Sequence, residues 1–480
     1  MAFDSGFPLE NVNKRFQELE DKYNLFHYEH DGWCLWPILR LRVADFLTDL
    51  PWDNLREKKK FGIHRRLPVI ISDLPKLFRP PKAPIVVKTY ASKLREKQGE
   101  RFKDIFIDDL LVSIGSRDYF KIEGVNSDAF YDRSKKSLIR KDISSYFFDS
   151  LPKAVANRFI RARPLSQMAQ NFAVIFKQEL NLENLNQKWI VRILSQFFLE
   201  KKIYGWLFDR VEPDYIIMPT HSEYSMVAAA KERNITVIEF QHGSPDCHKI
   251  PYSWSNNAIP VKAKIPIPDQ IFLYGEFFRK SLKKNNFWDS ELLPVGSLRI
   301  DKYRIERTKY KTREKSEVLT ILITTQGLDV QRTIEFFQAV LRMAEKKIKI
   351  KLYFKLHPFY EAKSDLYVEA FNPYQNVVIQ LGNQEPSTFE LLVRSDFHVS
   401  IYSTTHYEAL ALGIPTIILP FTNYELMTPL ASAGHAYIVH SPAEFLEIIR
   451  NHGDGMLGED ISSYYSKPDA LKNMKTALKL

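Results

Sequence analysis

Apolar side chains recur every three to four positions through NVNKRFQELEDKYNLFHYE and WCLWPILRLRVADFLTDL, so the spacing predicts a mainly helical extension over 1–80. The second segment sets Trp33, Trp36, Leu39 and Phe46 among Arg40, Arg42 and Asp45, the pattern of a helix laid on the domain behind it. From Ala83 the period changes. PIVVKTYA is a short β-branched run followed by a polar loop and DIFIDDLLVSIG. Farther on, strand Tyr215–Met218, a helix through Ser225 to Arg233 and strand Thr236–Phe240 make a βαβ unit, with PDQIFLYG and LLPVGSLRID as further strands.

The segment 301–316, DKYRIERTKYKTREKS, has little apolar content and reads as a linker. A second alternation follows: strands VLTILITT, KLYFKLHP, VVIQLG, DFHVSIYS and PTIILP, with helices after Gly327 to about Lys347, at FELLVRS and around HYEALALG. The expected class is α/β. Two Rossmann-like domains, 81–300 and 317–480, face each other across a cleft and follow the helical extension.

A chain of 480 residues and 56.2 kDa fits two to three domains, and its 45% hydrophobic and 26% charged content is that of a globular protein. With only Cys34 and Cys247 a disulfide scaffold is excluded, and a reducing compartment is expected. No run nears 18 apolar residues, and MAFDSGFPLENVNKR lacks the order of a secretory signal, so a cytoplasmic protein is expected. Residues 55–103 hold 15 Lys and Arg against 4 Asp and Glu, a surplus of 11 that exceeds the +10 of the whole chain. This basic segment, punctuated by five prolines, suits either a solvated arm or contact with an anionic membrane on the inner face of the plasma membrane. No zinc-finger spacing or aromatic nucleic-acid strand accompanies it, so nucleic acid is not an expected partner.

In open parallel sheets ligands gather outside the carboxyl ends of the strands. Those positions here are polar: Thr220, His221 and Glu223; Gln241, His242 and Gly243; Thr325, Gln326 and Gly327; Lys355, His357 and Pro358; Ser400, Ser403, Thr404 and Thr405. Lys355 and His357 alternate on a strand end and so point to one side, suited to a phosphate, and Pro358 stops that strand. Ser403, Thr404 and Thr405 open a helix whose Glu408 is placed to accept from a ribose diol, although hydroxyls at a helix start more often serve simply as caps. In Gln241-His242-Gly243-Ser244-Pro245 the imidazole is the best candidate base, with Asp246, Glu223 and Asp108 behind it. His242, Cys247 and His248 lack an assured fourth ligand, so neither metal nor cofactor is expected. There is no Walker lysine motif, no Gly-x-Ser-x-Gly elbow and no Asp-x-Asp pair.

The two strings Gln241-His242-Gly243-Ser244-Pro245 and Lys355-Leu356-His357-Pro358, with Ser403-Thr404 and Glu408-Ala-Leu-Ala-Leu-Gly413-Ile-Pro415, resemble the GT-B glycosyltransferases of bacterial surface-polymer synthesis. The likeness is to the CDP-glycerol glycerophosphotransferase, or teichoic-acid polymerase, group and its related capsule transferases, over about Glu212 to Pro420. Bacterial sialyltransferases share a similar arrangement. The resemblance implies His242 as base, His357 as phosphate ligand and Ser403 and Thr404 as a hydroxyl pair. Gln241 stands where the group has Trp or Thr, and Asp246, Cys247 and His248 replace its basic residues, which favours a nucleotide-activated sugar over glycerophosphate as donor.

The reading that follows is transfer of a sugar from a nucleotide donor, bound through Gln326, Gly327, Lys355, His357, Pro358, Ser403, Thr404, Thr405 and Glu408. The recipient is a hydroxyl of a cell-surface glycan or lipid-linked acceptor, held near Gln241, Gly243, His221, Arg95 and Arg101. Inversion with His242 as base is expected. The alternatives are a nucleotide-sugar 2-epimerase of the same fold and a non-catalytic binding protein of polysaccharide assembly.

Overall fold

The computed structural model describes residues 9–47, 63–92, 95–125, 131–148, 151–152, 163–220, 222–313, 317–344, 348–357, 364–381, 384–451 and 457–480. It divides into two units: 1–273 with 278–293 and 475–480, and 274–277 with 294–474.

The first unit is built on strands β3 (Ile85–Ala91), β6 (Tyr119–Val125), β7 (Ile143–Ser144), β8 (Tyr215–Met218), β9 (Thr236–Phe240), β10 (Gln270–Leu273) and β11 (Leu292–Pro294). Their order is β11-β10-β9-β8-β3-β6-β7, and the pairings from β10 through to β7 are parallel. Two small antiparallel hairpins flank the sheet, β1 (Glu29–His30) with β2 (Trp33–Cys34) and β4 (Glu96–Gln98) with β5 (Arg101–Lys103). Both neighbours of β3 run onward from it in opposite directions through the chain, so the strand order reverses between β3 and β8. That is the switch point where a crevice opens in a doubly wound sheet.

Helices Leu9–Tyr23, Trp36–Leu47 and Ile63–Phe78 bear out the helical reading of the extension. The extension belongs to the first unit, and within it Arg40 Nε lies 2.8 Å from Glu20 Oε1, both side chains being almost wholly enclosed. Arg40 also donates to the carbonyls of Ile250 and, at 2.7 Å, of Ser253, and its guanidinium sits 4.7 Å over the Trp254 ring. Asn13 donates to Ser253 Oγ at 2.7 Å, and the Ser255 amide to Glu20 Oε2 at 3.1 Å. The extension therefore grips the loop that leaves β9. Behind the sheet runs the 25-residue helix Gln187–Val211, started by Asn186, whose side chain accepts from the Trp189 amide. Its Tyr204, Leu207 and Phe208 meet Val86, Phe120 and Ile216 in the core.

The second unit carries β12 (Leu319–Thr324), β13 (Ile350–Leu356), β14 (Val377–Leu381), β15 (Phe397–Ser400), β16 (Thr416–Ile418) and β17 (Ala436–Ile438) in the order β14-β13-β12-β15-β16-β17, all parallel. Along β12, Ile321 and Ile323 enter one core with Phe337 and Phe354, while Leu322 enters another with Phe389 and Leu410. Both faces are covered, as parallel sheets require. Here the reversal falls between β12 and β15.

The stretch expected to be a linker, 301–316, is helical as far as it is described. It continues the helix Leu298–Arg313 of the second unit, where Tyr303 and Arg307 are buried and Arg307 donates to the carbonyls of Leu392, Val393 and Ser395. DIFIDDLLVSIG is largely the helix Asp108–Ile114, and the polar loop before it holds the β4–β5 hairpin. No described helix is long and apolar enough to cross a membrane.

Candidate active site

At the β3–β8 switch point the first unit holds an open cavity of about 670 Å³. Tyr90, Ser92 and Arg95 reach it from the end of β3; Thr220, Ser222 and Glu223 from the end of β8; His242 from the end of β9. Ile38, Leu41 and Arg42 of the helix Trp36–Leu47, and Ile193, Phe197 and Glu200 of the helix Gln187–Val211, close the other side. The N-terminal extension is thus part of the site.

His242 follows β9 by two residues. Its Nδ1 stands 3.8 Å from Oε1 of Glu239, a residue with no exposed surface in the body of the strand. That same Oε1 accepts from the Tyr252 hydroxyl at 2.6 Å. Burial raises the Glu239 carboxyl to about 8. Burial, and secondarily the nearby Lys249 ammonium, lowers the His242 imidazole to about 4, so it is neutral at physiological pH. The Gln241 side chain donates to the Gly243 carbonyl at 2.7 Å, which tightens the turn, and a Cβ built at exposed Gly243 would meet no atom within 4 Å. Beside His242 there is room.

Glu239 is the residue that the sequence reading missed. Its signal was an acid at the fourth place of the otherwise apolar strand TVIEF, three positions before the candidate base.

The remaining candidates of this unit divide. Glu223 lines the cavity with Oε2 3.8 Å from the buried Lys88 ammonium. Arg95 also lines it, but its guanidinium is held from behind by Glu123 at 2.5 Å and by the Ser137 hydroxyl. Arg101 is an exposed residue of β5 and is not among the residues lining the cavity. Asp246 accepts from the His248 amide at 2.8 Å in the turn after His242. Asp108 is buried against Lys121 at 3.3 Å and accepts from the Asp104 amide, a structural setting. His221 lies outside the described residues, as does Pro358.

In the second unit, β13, β12 and β15 are neighbours, which brings the loops bearing His357, Gln326 with Gly327, and Ser403 with Thr404 to one edge of the sheet. Gln326 bridges the switch point: its side-chain amide donates to the Tyr402 carbonyl and accepts from the Tyr402 amide at 3.3 Å. Gly327 is left-handed at φ 72°, the conformation that favours glycine there. Ser403 donates to the Thr405 hydroxyl at 3.0 Å and accepts from the Thr405 amide at 3.2 Å, an early turn that exposes Thr404. Glu408 is half-buried, and desolvation raises its carboxyl to about 7 against the opposing pull of Arg299. Lys355 is buried, with its ammonium donating to the carbonyls of Leu381 (3.2 Å), Gln384 (2.6 Å) and Pro386 (2.9 Å). All three hydrogens hold the loop after β14. Beneath this edge Thr416 Oγ1 lies 2.8 Å from His398 Nδ1 and 2.6 Å from His406 Nδ1, and burial keeps both imidazoles neutral.

Among the described residues no group of three or more His, Cys, Asp or Glu is arranged to hold a metal. A Gly-x-Gly-x-x-Gly spacing does occur at Gly453, Gly455 and Gly458, but it follows the helix Pro442–Asn451 rather than a strand and so lacks the strand–turn–helix setting of a dinucleotide site.

No family model matches the chain, and neither does any curated protein. Solved structures do. The UDP-GlcNAc 2-epimerase from Neisseria meningitidis, bound to UDP-GlcNAc, is similar over 82% of this chain and all of its own, at 14% identity and a TM-score of 0.51. MurG from Acinetobacter baumannii aligns over 83% of this chain and 99% of its own at 12% identity and a TM-score of 0.44. The wall teichoic acid polymerase TagF aligns over 87% and 98% at 10% identity and a TM-score of 0.44. At such identity the likeness is one of fold: two parallel-sheet α/β units of the GT-B kind.

Proposed function

We propose that the protein is a GT-B glycosyltransferase that moves a sugar from a nucleotide-activated donor to a hydroxyl of a surface glycan or lipid-linked acceptor. The first unit takes the acceptor in its switch-point cavity, and the second takes the nucleotide at the edge formed by His357, Gly327, Ser403 and Thr404. The observation that carries this reading is the His242–Glu239 pair, a neutral imidazole over a buried carboxyl at the wall of a cavity.

In the reaction the acceptor hydroxyl gives its proton to His242 Nε2 while its oxygen attacks the anomeric carbon. The bond from that carbon to the nucleotide phosphate breaks, the electron pair leaves with the phosphate oxygen, and the anomeric centre inverts. Glu239 orients the imidazole through Nδ1. Hydrogen-bond donors that hold the nucleotide's phosphates stabilise the charge growing on the leaving oxygen.

The basic stretch 55–103 suits peripheral contact with an anionic membrane face, the side from which a lipid-linked acceptor would be reached. The support is the helix Ile63–Phe78, whose Leu67, Ile71 and Phe78 are each about half exposed.

The test is a panel of CMP-, CDP-, UDP- and GDP-sugars, read first by thermal stabilisation and then by transfer to acceptor. His242→Ala is expected to abolish transfer with donor affinity nearly unchanged, and transfer is expected to survive EDTA. Inversion at sugar carbon 2 without acceptor supports the epimerase instead, and binding with no turnover supports the non-catalytic reading.

A further inference from the structure

The walls of the first unit's cavity have a charge balance that bears on the acceptor, provided that cavity is the acceptor site as proposed above. Among the described residues the ionisable side chains on its surface, besides neutral His242, are Arg42 and Arg95 against Asp45, Asp104, Glu200 and Glu223. The layer behind does not reverse this. Lys88 stands behind Glu223 at 3.8 Å, and Lys121 lies between Asp108 at 3.3 Å and Glu123 at 3.8 Å. Arg95 is bound to Glu123 at 2.5 Å and lies 3.9 Å from Asp104. Arg133 donates to the Ser92 carbonyl at 3.2 Å, and Lys249 and Asp246 follow His242, whose neighbour Glu239 is largely protonated at pH 7; the two layers then hold six cations and eight carboxyls, and the surplus lies on the cavity surface itself.

A cavity with surplus carboxylate repels a phosphodiester chain, whose every repeat adds a negative charge in a partly desolvated space. It suits hydroxyl and ammonium groups. Carboxylate oxygens accept from both, and the hydroxyls of Ser92, Thr220, Ser222 and Ser225 supply further partners. Tyr90, Phe106, Phe197 and Tyr224 add aromatic surface for the C–H faces of pyranose rings. We infer that this cavity takes an uncharged or amino-sugar glycan as acceptor and discriminates against polyol-phosphate polymers.

The test titrates the full chain with three probes of similar length: maltotetraose, the fully deacetylated chitosan tetramer and a glycerol-phosphate tetramer, each at 20 and 300 mM NaCl. Calorimetry is expected to show maltotetraose and the chitosan tetramer binding at least tenfold more tightly than the glycerol-phosphate tetramer, and salt weakening only the chitosan tetramer. Asp45 is exposed, so Asp45→Lys keeps the fold and is expected to narrow the gap at low salt. Tightest binding by glycerol phosphate, or equal affinity for all three with no response to Asp45→Lys, overturns the inference and leaves the transferase reading standing. Binding of none of them at millimolar concentration removes the cavity as a glycan site and takes the transferase reading with it.

Discussion

Nδ1 of His242 faces Oε1 of Glu239 at 3.8 Å, and the Tyr252 hydroxyl donates to that same oxygen. Three residues of one strand-and-loop segment thus form a line from the core to the cavity. An imidazole whose Nδ1–H points at a carboxylate has its Nε2 lone pair free to take a proton; one that accepts from a carboxylic acid does not. At 3.8 Å the carboxyl acts through its charge rather than through a hydrogen bond, so the ionisation of Glu239 favours the tautomer with the proton on Nδ1.

The first prediction is a pH profile. With Glu239 raised to about 8 and His242 lowered to about 4, the pair at pH 7 holds its proton mainly on the carboxyl, and raising the pH removes it. The kcat for transfer is expected to climb through pH 8 and level off above it. Glu239→Gln is expected to lower kcat roughly tenfold to a hundredfold, to flatten that rise and to leave donor affinity unchanged. An unaltered profile in the variant removes Glu239 from the mechanism. The stability sign is separate: a carboxyl raised by folding contributes less as pH rises from about 4.5 toward 8, so the same variant is expected to lose less stability than wild type across that window.

The second prediction concerns the extension. Arg40 and Glu20 are enclosed together, and Arg40 and its neighbours hold the carbonyls of Ile250 and Ser253 beside Tyr252. Removing one partner strands the other charge, so Arg40→Ala is expected to cost about 3–5 kcal/mol in urea unfolding. In the folded fraction, amide exchange at 250–255 is expected to rise and kcat to fall, because Tyr252 then no longer fixes Glu239. Wild-type kcat despite the lost stability shows that the loop holds its shape alone.

The parallel strands were legible because their runs are dominated by apolar and β-branched residues: Tyr215–Met218, Leu319–Thr324 and, broken only at Glu239, Thr236–Phe240 lie where the pattern puts them. Tyr119–Val125 was not, since Lys121 and Glu123 break the run, and nothing local reveals that Arg95 and Asp108 balance them inside the fold. Helix Leu298–Arg313 was read as a linker because Tyr303 and Arg307 meet the core through an aromatic ring and a guanidinium rather than through an aliphatic stripe. Strand-end chemistry pointed to His242. The cavity beside it depends on helices about 50 and 200 residues upstream, a juxtaposition that no spacing encodes.

Lys355 and His357 illustrate the same limit and give the third prediction. Both stand at the end of β13, yet Lys355 serves three loop carbonyls. Lys355→Met is expected to destabilise the second unit by about 2–3 kcal/mol, since three part-buried carbonyls lose a charged donor. His357→Ala is expected to change stability by less than about 1 kcal/mol while weakening nucleotide binding. Denaturation and donor titration of both variants separate the roles; a stability loss in His357→Ala equal to that in Lys355→Met makes both structural.

The fourth prediction rests on Leu67, Ile71 and Phe78. At 100° per residue they fall within about 40° of one another on the helix Ile63–Phe78, at the margin of the side on which Leu74 and Leu77 pack against the core. Phe78 leans on the Trp206 ring at 5.6 Å, and Arg210 covers that ring at 4.0 Å, an aromatic and cationic pairing suited to a headgroup layer. The nearby exposed ion pairs of Lys76 with Asp142 and Lys82 with Glu212 are too weak to hold those ammonium groups from lipid phosphate. Seating the three half-exposed side chains in a bilayer interface yields roughly 3 kcal/mol, about a hundredfold in partitioning, with the surplus of 11 charges over 55–103 adding a salt-dependent part. Wild-type protein is expected to co-sediment with vesicles containing a third anionic lipid and to release as salt rises. Leu67→Glu with Ile71→Glu is expected to cut binding at least tenfold with the melting temperature nearly unchanged, because neither side chain is in the core. Equal sedimentation of wild type and variant assigns the attraction to charge alone, and no sedimentation of either removes the membrane from the list of partners.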